Sequence, residues 1–406
     1  MNQKHEKNRN VAIIGIGQTV YSSHREDVNQ PEMIHEAVTL ALKDAGLTMA
    51  DIDCVAHGNM ELFEMVHQPD MWHVIGDGAY GKSAFRLTTG GTTGATLVSA
   101  ADNLVASGMY DIVMAIGFEK LQEGHTTGGI TNMADPLWTR HLQTGALTGA
   151  TAAYMIREFG EERAKRAAMK LRIDMDKHAV LNPNSHRSFG LDYDQMDDLI
   201  ANSPQLAGEL RLIHMCSQSD GACAMIFASE EKAKKLCKKP VWIRDHITIH
   251  REENFATMFT YDIEERDPTT HRVAAERLFE RNGIKNPVEY FDVFEMYDPS
   301  SWWGLDWVRD FFLLKDDEHL KMVENGDLKI GGKMPLNPSG GVVSANPIGA
   351  TAMVRVAEAA LQVRGDAGGH QVPGEVNHAL ASGFGGTYWT VLLMLEKNLD
   401  WREGEK

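Results

Sequence analysis

Cysteine is scarce in this 406-residue chain, with only Cys54, Cys216, Cys223 and Cys237. None forms a CxxC pair or stands at metal-ligand spacing from a histidine, so the four read as free buried thiols. Long hydrophobic runs are missing too. No stretch approaches the ~20 apolar residues of a membrane-spanning helix, and the opening MNQKHEKNRN lacks the apolar centre of a secretory leader. Basic residues are in deficit, 40 Lys and Arg against 57 Asp and Glu, for a formal net charge of −17. Such a surface repels phosphate backbones and disfavours nucleic acid as a partner. These absences lead to the expectation of a soluble, cytoplasmic protein.

Apolar material is ample, at 43% of the residues, enough for a sizeable core. VAIIGIGQTV (residues 11–20) reads as a buried strand. PEMIHEAVTLALKDAGL (31–47) reads as a helix, with Ile34, Ala37, Val38, Leu40 and Ala41 at helical spacing and Gly46 to end it. DIDCVAHGN reads as a second strand. RLTTGGTTGATLVSAADNLVASG (86–108) reads as a glycine turn opening a helix, and DIVMAIGFE (111–119) as a third strand. Alternation of strands and helices predicts an α/β layered fold. The second half repeats the pattern: strand VWIRDHITIH, a helix at TTHRVAAERLFERNGI, strand EYFDVFEMYD, and then NPSGGVVSANPIGATAMVRVAEAALQVRG, again a glycine turn feeding a helix. HALASGFGGTYWTVLLMLE closes as a strand. The spacing predicts two similar halves, 1–239 and 240–406. A block at about 120–210, rich in Gly, Met, His and Asn, reads as a covering insertion on the first half.

Four stretches in this order resemble the thiolase superfamily: GMYDIVMAIGFEK, CSQSDGACAMI, NPSGGVVSANPIGAT and the closing GFGG. The resemblance covers nearly the whole chain. It points to the branch of sterol-carrier-protein-x-type thiolases and thiolase-like acyl-CoA aldolases. It implies a five-layer αβαβα fold with two halves related by a pseudo-two-fold, a coenzyme A thioester as substrate, and a homodimer paired through its sheets. It also implies a small zinc-bearing OB-fold acyl-CoA-binding protein as partner, with no tightly bound metal in this chain itself.

The chemical groups of that family are absent. The nucleophilic cysteine, whose pKa a helix N-terminus would lower, falls on Gly91. The first histidine of the resemblance falls on Tyr297 and the second on Asn346. Glycine cannot form an acyl-enzyme. What remains fits acid–base cleavage of a β-hydroxyacyl-CoA. Tyr297 is the candidate base or relay, if its pKa is pulled below about 10. Asn346 and backbone N–H groups at Gly91 and Gly385 are candidate donors to an enolate oxygen. His125 and His141, in the covering block, are rival bases. Two alternatives stay open: a Claisen-type thiolase with an atypical nucleophile (Cys216, Cys223, Thr92, Thr93 or Ser382), and a non-catalytic subunit.

Other features read more plainly. Trp302, Trp303 and Ser382 are candidate substrate contacts, although the aromatic stretch at 299–314 also reads as a helix core face. His67 and His73 lie six apart around a proline, outside usual ligand spacings. TGGTTGAT has no lysine of a phosphate-binding loop and follows no clear strand, which argues against a dinucleotide cradle.

Overall fold

The computed structural model describes residues 8–61, 63–64, 70–124, 146–250, 269–385 and 389–401. Eleven strands appear among them: β1 Val11–Gln18, β2 Cys54–Gly58, β3 Ser83–Arg86, β4 Ile112–Lys120, β5 Gln205–Ala207, β6 Leu210–Arg211, β7 Asp220–Ser229, β8 Val241–His250, β9 Val293–Glu295, β10 His378–Phe384 and β11 Trp389–Glu396. β5 and β6 pair with each other. The other nine run in the order β3-β2-β4-β7-β1-β8-β11-β10-β9.

That order contains one pattern twice. In the first half β1 is antiparallel to β7, β7 antiparallel to β4, and β4 parallel to β2. In the second, β8 is antiparallel to β11, β11 antiparallel to β10, and β10 parallel to β9. The two sets join only where Ala12 and Ile13 pair with Trp242 and Val241.

Strand alternation decides what lies on each face. On β1, Ala12 and Ile14 point into a cluster with Met33, Ile34, Ala37, Val38 and Ala41 of the Gln30–Ala45 helix. Val11 and Ile13 point the opposite way, into the main core with Leu97, Val98 and Ala101 of the Thr93–Ala106 helix. Burial on both faces is why these strands read as unbroken apolar runs. The first outer helix begins with a reciprocal cap, Asn29 holding the Glu32 N–H and Glu32 the Asn29 N–H, and ends at Gly46 with φ +67°.

The Thr93–Ala106 and Ile348–Arg364 helices occupy equivalent places in the two halves and meet at the centre. A Cβ at Gly94 would stand 2.3 Å from the Met353 backbone nitrogen. Only glycine lets the two backbones approach this closely.

Four sequence expectations change. The closing segment is a hairpin of β10 and β11, not one strand. Within EYFDVFEMYD only Val293–Glu295 pairs, because Pro287–Tyr290 takes a helical turn first. The Glu230–Leu236 stretch, to which the sequence pattern assigns no element, is a short helix. The first glycine turn does follow a strand, β3, whose four residues are all at least partly exposed and so lack an apolar signature.

Candidate active site

The first glycine turn is stapled by its own threonines. Gly90 takes φ +61°, a region glycine occupies without penalty. Thr92 Oγ1 donates to the Thr89 carbonyl at 2.6 Å and Thr93 Oγ1 to the Gly90 carbonyl at 2.6 Å. The Thr89 N–H donates to Thr93 Oγ1 at 2.9 Å. Thr92 and Thr93 are fully buried, so these hydroxyls hold the backbone and do not present nucleophiles.

Gly91 is where the turn meets the second half. A Cβ built there would stand 2.3 Å from the Phe384 carbonyl oxygen and 3.3 Å from the Tyr297 hydroxyl. The first distance is far inside van der Waals contact, so the end of β10 has closed over the place a side chain would need. Gly385 lies against the same turn, its hypothetical Cβ 3.0 Å from Thr92 Oγ1. The structure thus brings Gly91, Tyr297 and Gly385 together. It corrects the part expected of Gly385, whose N–H donates to the Trp389 carbonyl at 3.0 Å and so closes the β10–β11 hairpin.

Tyr297 follows β9 and is buried, its N–H held by Ser382 Oγ at 2.9 Å. Burial pushes its phenol well above the usual tyrosine value, and the nearby Cys216 thiol adds to this while Thr351 opposes it. The sequence reading needed the reverse shift. Tyr297 therefore keeps its proton, because nothing cationic near it outweighs the loss of water.

Asn346 sits just before the second central helix and is saturated. Its N–H donates to Ser219 Oγ at 2.8 Å, and its Oδ1 accepts from Thr351 Oγ1 at 2.8 Å. Its Nδ2 donates to the Ser217 carbonyl at 3.2 Å and to Cys216 Sγ at 3.4 Å. Thr351 and Cys216 both act on Tyr297 as well, which ties Asn346 to the same site. Sulfur is a weak acceptor, so the bond to Cys216 is the one a stronger acceptor would displace. Burial pushes the Cys216 thiol up to about 11, with Arg187 pulling against it; it is a thiol, not a thiolate.

The two tryptophans part ways. Trp302 is fully buried with its indole on His214, the ring centroids 5.6 Å apart. Trp303 stacks on Trp307 at 5.1 Å and meets Phe384 edge-on at 5.4 Å. Phe384 also lies 6.0 Å from the Tyr297 ring. Trp303, Trp307 and Phe384 therefore form the aromatic wall beside Tyr297, and Trp302 belongs to the core behind it.

His125 and His141 lie outside the described residues, as does His67. His73 is buried, its Nε2 within 2.6 Å of Gln30 Oε1. Among the described residues no group of three or more His, Cys, Asp or Glu side chains could hold a metal ion. Nor is any of their helices long and apolar enough to cross a membrane. Sequence reasoning missed Thr351, Ser219 and a third histidine of the covering block, His186. His186 Nε2 lies 2.7 Å from Ser219 Oγ. No spacing signal could have found it, since the partners are 33 residues apart.

Comparison with known proteins bears on the family and the fold. Residues 258–397 match the family model described as thiolase C-terminal domain-like. The acetyl-CoA acetyltransferase of Methanothermobacter thermautotrophicus is 30% identical over 374 residues, covering 90% of this chain and 94% of that protein. Sterol carrier protein 2 of Oryctolagus cuniculus is 29% identical over 386 residues, covering 90% of this chain and 68% of its own length. Among solved structures, the Ltp2-ChsH2(DUF35) aldolase superposes with a TM-score of 0.79 at 24% identity, covering 96% of this chain and 98% of that one. Human mitochondrial 3-ketoacyl-CoA thiolase superposes at 0.70 with 13% identity, covering 97% of this chain and 100% of that one.

Proposed function

The chain belongs to the thiolase superfamily, as an αβαβα enzyme of thiolase type, and on that premise we propose that it cleaves a carbon–carbon bond in a β-hydroxyacyl-CoA by retro-aldol chemistry. One observation carries the reading. At Gly91 the Phe384 carbonyl occupies the space a nucleophilic side chain would need, and the Tyr297 hydroxyl stands beside it. A site closed this way cannot build an acyl-enzyme at that turn. A retro-aldol cleavage does not require one. The β-hydroxyl loses its proton, the bond between Cα and Cβ breaks, and its electron pair passes to the thioester as an enolate. The enolate carbon then takes up a proton. Tyr297, held protonated, supplies that proton or a hydrogen bond to the developing charge. Asn346 Nδ2 turns from Cys216 to the enolate oxygen. Trp303, Trp307 and Phe384 face the carbonyl fragment that departs.

The fold neighbour that is itself an Ltp2-ChsH2(DUF35) aldolase supports this reading and a DUF35 protein as partner; that this partner is a small zinc-bearing OB-fold protein, and that the chain pairs with a second copy of itself, are part of the proposal. The proposed division is into halves at 1–239 and 240–406, with 120–210 covering the pocket.

Incubation with a β-hydroxyacyl-CoA, and separately with a β-ketoacyl-CoA plus free CoA, tests the proposal. Cleavage of the first without free CoA is expected. Cleavage only of the second, with absolute need for the thiol, overturns it. That outcome would favour the Claisen alternative with Cys216, the thiol that meets Asn346, and Cys216→Ser would then abolish turnover.

A further inference from the structure

Tyr297 holds its proton, so the pocket still needs a group that accepts one. The described residues offer a route at Asn346. The backbone there rests on Ser219, a buried hydroxyl with three neighbours. The Asn346 N–H donates to Ser219 Oγ at 2.8 Å, Ser217 Oγ lies 3.2 Å away, and His186 Nε2 lies 2.7 Å away. Ser217 and Ser219 are buried, while His186 is only half-buried. The row of groups therefore runs from two buried hydroxyls to a half-buried imidazole.

The covering block docks His186 firmly. The Arg187 N–H donates to the Ser344 carbonyl at 3.1 Å, two residues before Asn346. The Arg187 guanidinium reaches the Met215 carbonyl and, at 3.4 Å, that of Val343. Asn182 Nδ2 holds the Ser339 carbonyl at 3.0 Å. The imidazole is thus fixed against both the Ser217–Ser219 turn and the turn that carries Asn346.

Hydrogen-bond valence then permits two states. With His186 neutral at Nε2, Ser219 accepts from the Asn346 N–H and donates to the imidazole. With His186 protonated, Ser219 accepts from both and turns its hydrogen toward Ser217. The second state holds one proton more than the first: a proton taken up at the Ser217 end passes one hydrogen from Ser217 to Ser219 and one from Ser219 to the imidazole, and the Asn346 N–H is satisfied in each state. Burial, reinforced by the Arg187 cation, holds the imidazole near 4 and so neutral at rest.

We propose that His186, Ser219 and Ser217 form a proton wire between the pocket at Asn346 and solvent, with His186 as its outer base. The inference rests on the enolate chemistry proposed above but not on the bond that is cleaved. In the cleavage direction the β-hydroxyl proton enters the wire and a proton returns to Cα, so none is gained or lost overall. In the absence of cleavage the same wire exchanges the Cα hydrogens of a bound acyl-CoA with solvent.

The experiment measures deuterium uptake at Cα of acetyl-CoA or propionyl-CoA in D2O, alongside β-hydroxyacyl-CoA cleavage, for the full-length chain with any co-purifying partner. His186→Gln keeps a hydrogen bond to Ser219 but cannot carry a proton. It is expected to lower both rates about 10²-fold, as is Ser219→Ala. His186→Ala is expected to regain exchange with added imidazole. Retained exchange in His186→Gln at the wild-type rate overturns the wire, as does His186→Ala that imidazole leaves unchanged. Wild-type exchange without cleavage leaves the wire standing and overturns the retro-aldol reading. Wild-type protein that does neither overturns both. Melting curves of the variants separate misfolding from loss of proton transfer.

Discussion

The two glycine turns occupy equivalent places, each opening a central buried helix, yet they are finished in opposite ways. The first is closed by local bonds: threonine hydroxyls bind carbonyls within the turn, and the Phe384 carbonyl seals Gly91. The second is held by distant charged and polar partners. The Ser339 N–H and hydroxyl both donate to Glu295, and Arg355 binds Glu295 Oε2 at 2.6 Å. The Val342 N–H donates to Asp298 Oδ1 at 3.0 Å, and Asn346 rests on Ser219. A duplicated architecture has thus been split by task. One turn carries no reactive group, and the other is held on a buried charged scaffold.

Four measurements break or sharpen that contrast. Arg355→Met should do the most damage, about 3–5 kcal/mol of stability in urea unfolding. It strands Glu295 as an uncompensated buried charge. A loss under about 1 kcal/mol would mean the second turn does not depend on this pair. Tyr297→Phe removes the hydroxyl between the turns and should lower kcat for β-hydroxyacyl-CoA cleavage about 10²-fold with little change in KM. An unaltered rate would move the proton donor elsewhere.

Gly91→Ala drives a methyl group into the Phe384 carbonyl and should cost about 1–3 kcal/mol of stability by overpacking. A neutral effect would show that the first turn is not sealed. The smallest effect concerns Asp298, whose carboxyl burial pushes up to about 7. A carboxyl with a folded pKa above its unfolded value of about 3.9 binds its proton more tightly in the fold. Its contribution is full below about 4 and fades as pH rises through 7. Asp298→Asn should flatten the melting temperature between pH 4 and 7. A slope unchanged in the variant would assign the titration to another group.

Tyr297 shows how far the sequence could be read and where it stopped. Its position opposite Gly91 was legible from the order of motifs, as was that of Asn346. The direction of its pKa was not, because that depends on burial, on Cys216 and on Thr351, which only folding brings around it. The Gly385 N–H appeared available until the hairpin with Trp389 claimed it. His125 and His141 stood out as covering-block histidines, while His186 did not, because its partner Ser219 comes from beyond the block and is brought to it only by folding.

By itself the sequence determined the α/β pattern, the repeat of glycine turn and buried helix, and the absence of a thiol at Gly91. Each is a property of local composition, periodicity or a single missing side chain. Tertiary structure alone decided that Gly91 is sealed and that Tyr297 keeps its proton. It also decided that Trp303 packs on Trp307 and Phe384 beside Tyr297 while Trp302 is buried in the core, and that Asn346 is saturated. These depend on distances between residues far apart in the chain and on how much water packing leaves between them.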